Sequence, residues 1–175
     1  MRTFRLVTAA FGALVAGLAP SGAMAAPLSF DCDVPEAHSS SVGGELGPGV
    51  LVTATITAVK LRAGKTPPVA GVLVTANGGR NALGVRVILP RADAAALQVV
   101  LVGLNNGKPV QQLVKEIPLN GSAKFALELD PAGIGRLAID DKVIPTTFAE
   151  MGLGKATAFC GSGQFRIDNL QFVTR

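Results

Sequence analysis

Tryptophan and tyrosine are missing altogether from this chain of 175 residues, and histidine occurs once, as His38. Those two aromatics supply the flat, polar-edged surfaces on which ligands commonly stack. Any aromatic platform here must come from the eight phenylalanines. The two cysteines and one histidine are too few for a zinc site. They are not spaced as CxxC either, which argues against a redox-active pair. Charged residues make up 16% of the chain, and its lysines and arginines are scattered, so no basic patch for nucleic acid is visible. Beyond residue 19 no apolar run approaches the roughly 20 residues that a membrane-spanning helix needs. Helical periodicity is also absent, apart from one turn that residues 91–96 could form.

What is present begins with a targeting pattern. Arg2 and Arg5 precede the uncharged, mostly apolar run 6–19. Pro20 to Gly22 breaks it, and Ala23-Met24-Ala25 offers a small-x-small cleavage site. This is the form of a secretory signal peptide, residues 1–25, and it predicts a periplasmic or secreted protein. Residues 26–175 then suit one domain. Losing Arg2 and Arg5 lowers the formal charge from +4 to +2, so the basic pI of the whole chain overstates any attraction to nucleic acid or membrane. In an exported protein the two cysteines are expected to form one disulfide, Cys32–Cys160.

Alternation of apolar and polar residues recurs along the rest. Leu28, Phe30 and Cys32 alternate with Ser29, Asp31 and Asp33, the pattern of a half-buried strand. Residues 35–48, rich in Gly and Ser, read as a long loop. Residues 49–62 form a long strand whose phase slips near Ala58, which predicts a bulge there. Strands follow over residues 69–76, 83–89, 97–104, 109–117 and 123–129. Asn77-Gly78-Gly79, residues 105–108 and Asn120-Gly121 supply turns between several of them. Leu137 and Ile139 lead into a hairpin at Asp140-Asp141, and residues 145–155 read as a second long loop. The closing strands occupy residues 157–174, with a bulge at Asp168-Asn169. About ten strands and turns of Gly, Asn and Asp predict an all-β antiparallel sandwich.

Phe165-Arg166-Ile167-Asp168-Asn169-Leu170-Gln171-Phe172 resembles the closing strand of many carbohydrate-binding jelly rolls. Residues 124–129 followed by 135–141 are similar to a strand pair of the same class. The arrangement thus resembles the concanavalin A-like jelly-roll superfamily of laminin-G, lectin and glucanase type. First and last strands often lie side by side in such folds, in keeping with a Cys32–Cys160 link. An immunoglobulin-like sandwich is the competing fold, but it usually has fewer strands and a much shorter cysteine spacing.

The resemblance implies sugar binding, and Phe148, the alternative for which is a core residue or loop anchor, is the candidate platform, with Phe159 less clearly the other phenylalanine free of core alternation. Asp31, Asp33 and Asp168 are candidate ligands for a structural calcium ion if the chain ends meet; no other cofactor is indicated. Asp140-Asp141 reads as a turn. Glucanases of this superfamily carry a Glu-x-Asp-x-x-Glu-type run, which is absent; Glu128 with Asp130 is the nearest carboxylate pair. The lyase branch needs a histidine and a tyrosine. His38 with Ser39 to Ser41, and Gly161-Ser162-Gly163, fall short of a hydrolase elbow. Thr53, Thr55 and Thr57 read as a solvated strand face. The expectation is a non-catalytic binding module for carbohydrate or another cell-envelope polymer. A polysaccharide-degrading enzyme of the same fold, hydrolase or lyase, and a structural or assembly protein with a protein partner are the alternatives.

Overall fold

The computed structural model describes residues 26–62 and 64–174; the expected signal segment, residues 1–25, lies outside them. Among the described residues twelve strands run in chain order: β1 (Leu28–Asp33), β2 (Ser39–Leu46), β3 (Val50–Leu61), β4 (Val69–Ala76), β5 (Ala82–Ile88), β6 (Ala96–Asn105), β7 (Lys108–Pro118), β8 (Ser122–Leu129), β9 (Ile134–Ile139), β10 (Lys142–Thr147), β11 (Gly154–Gly161) and β12 (Gly163–Thr174). Six make a first sheet, in the order β1-β12-β3-β8-β9-β10. The other six make a second, in the order β2-β11-β4-β5-β6-β7. Every pairing is antiparallel.

The strict alternation in sequence explains the layers. Val52, Ala54 and Ile56 of β3, Phe125 and Leu127 of β8, and Phe165 and Ile167 of β12 are buried on one inner face. Val72 and Val74 of β4, Leu83 and Val85 of β5, and Ala156 and Ala158 of β11 are buried on the other. Together they form one core between the sheets. Both expected bulges are present. The β3–β12 register slips opposite Val59, between Gln164 and Phe165, and again between Asp168 and Gln171, where Asn169 takes a φ of 54°. Each slip turns the following residues back toward the core, which is what keeps Leu170 buried after Ile167.

Several expectations need correcting. Residues 39–46 are not loop but β2, an edge strand held by β11 alone. Its Ser- and Gly-rich sequence has little apolar alternation because only Leu46 of the strand is buried. Residues 91–96 make a single turn, closed by Ala94 N donating to Arg91 O at 3.1 Å, and no helix forms among the described residues. The second long loop is shorter than expected, since β10 continues to Thr147.

The two closing strands lie in different sheets. β11 belongs to the second sheet and β12 to the first, so Gly161-Ser162-Gly163 is a crossing between layers. Ser162 is fully buried with φ 52°, and its Oγ accepts a hydrogen bond from Ala37 N at 3.1 Å. Cys32 on β1 and Cys160 on β11 are joined, with Cα atoms 6.2 Å apart. The disulfide therefore staples one sheet to the other.

Candidate functional site

The outward faces of the two sheets differ in kind. On the first sheet, the centre of the outward face is lined by Thr53, Thr55, Lys124, Ala126 and Ala138, exposed Ile134 and Val143 lie toward its β10 edge, and most of its carboxylates are paired. Glu128 pairs with Arg136 at 2.8 Å, and Asp140 with Lys115 at 2.6 Å. Asp168 pairs with Arg166 at 2.7 Å. The hydroxyl of Ser29 donates to Asp168 at 2.5 Å and, outweighing burial and helped by Arg166, holds its carboxyl below the ordinary value. Burial pushes the Asp140 carboxyl up, but the hydrogen bonds from Lys115 and from the backbone N–H of Lys124, with both lysine charges, hold it low overall. Thr53 and Thr55 line a furrow on this face, and Thr53 Oγ1 donates to Asn169 O at 3.3 Å. This is the solvated face of an antiparallel sheet.

The three aspartates do not form a calcium cage. Asp33 is engaged by Arg62 at 2.6 Å and Asp168 by Arg166. Among the described residues no group of three His, Cys, Asp or Glu side chains could hold a metal ion. Phe148 is no platform: it is 7% exposed and packs into the core, beneath Gly103 of β6. The Asp140-Asp141 hairpin forms as expected, with Asp140 at φ 51°. His38 donates no hydrogen bond to the serines that follow it. Its Nδ1 lies 2.8 Å from the Glu36 carbonyl, and Ser39 to Ser41 belong to β2.

The second sheet presents an apolar outer face. Ala82, Val100 and Val102 point away from the core, yet they are buried by their own neighbours on that face. One cross-strand row runs from Ser41 on β2 through Phe159, Gly71 and Arg86 to Val100. Gly71 is the gap that organises it. A Cβ there would collide with the Val85 carbonyl and lie 3.0 Å from Phe159 Cζ and 3.2 Å from Arg86 Cγ. Without that Cβ, ring and guanidinium meet over bare backbone, with Arg86 Cζ 5.8 Å from the Phe159 centroid, within cation–π range. A glycine inside a strand marks such close approaches.

Beside this pair lies a hollow of about 400 Å³, lined by His38, Thr66, Val69, Arg86, Ile88 and Phe159 among others. Its rims are fastened. Glu36 Oε1 accepts from Lys65 N at 2.6 Å, tying the two rim loops together. Ser162 N donates to His38 O at 3.2 Å, next to the disulfide. None of the ion pairs and side-chain hydrogen bonds among the described residues engages the Arg86 guanidinium. Sequence reading noted Phe159 as free of the core pattern but passed over Arg86, which looked like any outward charge on a strand. The signal was Gly71, inside a strand otherwise made mostly of Val, Ala and Leu.

No protein-family model matches this sequence, and no curated protein matches it. Solved structures do. The fold defined by the two sheets is the concanavalin A-like jelly roll, as the sequence led us to expect. A prokaryotic β-1,3-1,4-glucanase (lichenase) from a mouse hindgut metagenome superposes with a TM-score of 0.59 at 7% identity. That match covers 82% of this chain and 78% of the glucanase. An alginate lyase from Alteromonas sp. 272 gives 0.58 at 7% identity, covering 83% and 86%. A Bacillus licheniformis β-glucanase gives 0.53 at 12% identity, covering 84% and 78%. These likenesses correct the non-catalytic expectation. The fold is shared with polysaccharide-degrading enzymes of more than one chemistry, so lacking the glucanase carboxylate run does not set the chain apart from catalytic proteins.

Proposed function

We propose that this chain is an exported protein that degrades a polysaccharide held against the outer face of the second sheet. The observation that carries the reading is the hollow in which Phe159, Arg86 and His38 meet. Phe159 with Val69 and Ile88 offers an apolar floor for a sugar ring, and Arg86 offers polar contact at its edge. The names of the fold relatives, glucanases and an alginate lyase, support a polysaccharide as substrate. The disulfide and the signal-like residues 1–25 support export.

The lining also favours one kind of chemistry. Among the described residues no Asp or Glu lines the hollow, so glycoside hydrolysis by a carboxylate pair has no seat on them. His38 can accept a proton. Its Nδ1–H donates to the Glu36 carbonyl, which leaves the lone pair of the neutral ring on Nε2. Proton abstraction by Nε2 from a sugar carbon acidified by a neighbouring carbonyl or carboxyl group, with the C–H electron pair forming a C=C bond as the bond to the glycosidic oxygen breaks and that oxygen takes its proton from water, makes a balanced elimination.

Incubation of the oxidised protein, residues 26–175, with a panel of polysaccharides tests this. The expected result is shortened chains carrying the ultraviolet absorbance of an unsaturated sugar, lost in His38→Gln while binding persists. Binding without any cleavage across the panel would overturn the degradative reading.

A further inference from the structure

We propose that the sugar seated in this hollow carries a carboxylate, and that Arg86 is the residue that selects it; the inference rests on the reading that a sugar binds there. The argument begins with what Arg86 lacks. Of the described arginines, 62, 91, 136 and 166 each pair with a carboxylate, whereas Arg80 and Arg86 do not, and of those two it is Arg86 that lines this hollow. Its stem is held against Phe159 through the Gly71 gap, which fixes the direction of the guanidinium without consuming its donors. A planar guanidinium held in this way presents a fork that matches a carboxylate with two parallel hydrogen bonds.

Charge balance points the same way. Among the described residues no carboxylate lines the hollow. Glu36, the acidic residue nearest in sequence, has its side chain turned to the backbone of Lys65. Arg86 is exposed and solvated by water, so a ligand that displaces this water must offer the guanidinium a partner, and an anionic sugar supplies the counter-charge that a neutral one does not. The floor excludes a bare inorganic anion as the best fit, because Val69, Ile88 and Phe159 offer only apolar contact. A ring with one apolar face and one carboxylate uses both features, and among sugars that is a uronate. Arg86 therefore acts as a specificity-determining residue, and Phe159 as the wall that aims it.

The test uses the oxidised protein, residues 26–175, with three tetrasaccharide probes: tetragalacturonate, its methyl ester and neutral maltotetraose. Binding is read by calorimetry and by amide shifts of Phe159 and His38. Tetragalacturonate should bind, weaken with added salt, and bind at least about tenfold more tightly than either neutral probe, as expected for a hydrogen-bonded charge pair. Arg86→Gln should remove that preference. Arg86→Lys, which keeps the charge but not the fork, should keep only part of it, and Arg136→Gln on the opposite sheet should leave it intact. Oligomers of mannuronate and glucuronate in the same assay show which acid is preferred. Equal affinity for acidic and neutral probes, or an unchanged preference in Arg86→Gln, overturns the inference. Cleavage of a neutral polysaccharide would sink it, and the elimination step with it, while leaving in place the broader reading that the protein degrades a polysaccharide. Uronate binding through Arg86 without cleavage would do the reverse.

Discussion

Breaking the Cys32–Cys160 disulfide should cost this protein an unusually large share of its stability. The bond joins residues 128 apart in sequence and connects β1 of one sheet to β11 of the other. In the chain-entropy treatment, closing a loop of that length lowers the entropy of the unfolded chain by the equivalent of about 5 kcal/mol at 25 °C. Whole domains are stable by only about 5–15 kcal/mol. Urea unfolding of oxidised protein, of protein reduced with a phosphine, and of Cys32→Ala/Cys160→Ala measures the loss. Reduction leaves both buried sulfurs in place and so isolates the cross-link, while the double alanine variant adds the cost of two small cavities. Both should lose about 3–5 kcal/mol, and the alanine variant slightly more. The dependence on urea should steepen, because an unfolded chain without the cross-link exposes more surface. A loss below about 1 kcal/mol with an unchanged slope would refute the entropic reasoning.

Other perturbations probe the core, the charges and the site. Thr146 is 4% exposed and its Oγ1 has no partner among the described residues; Thr146→Val should therefore raise stability by about 1–2 kcal/mol in the same urea assay. Gly133 sits at φ 80°, and a Cβ there would crowd the Ala149 carbonyl at 2.8 Å; Gly133→Ala should lower stability by more than about 1 kcal/mol. Asp140 and Asp168 titrate below the ordinary 3.8 in the folded state. Their contribution is present above pH about 4 and is lost as pH falls through the lower folded values. Acid unfolding followed by circular dichroism should start at lower stability but fall less steeply in Asp140→Asn. Gly71→Ala should both destabilise the second sheet and separate Phe159 from Arg86, weakening tetragalacturonate binding more than a volume-neutral core change such as Leu83→Met.

Alternation along single strands determined much of this protein before any coordinates. It assigned the inward residues of β3, β8 and β12, and the phase slips at Ala58 and Asp168 disclosed both bulges, because a one-residue slip moves every later side chain to the opposite face. Gly-Asn-Asp turns marked the hairpins, since few residues accept a positive φ. The cysteine count left one pairing to make. Period-two patterns say which way a residue faces, but not which strand lies beside it. Only the tertiary structure decided that β11 and β12 part into separate sheets, that the Ser- and Gly-rich edge is β2, and that Phe148 is core. The same holds for the site. Residues 38, 71, 86 and 159 are scattered through the sequence, and they meet because antiparallel pairing of β4 with both β5 and β11 sets Arg86 and Phe159 on either side of a glycine.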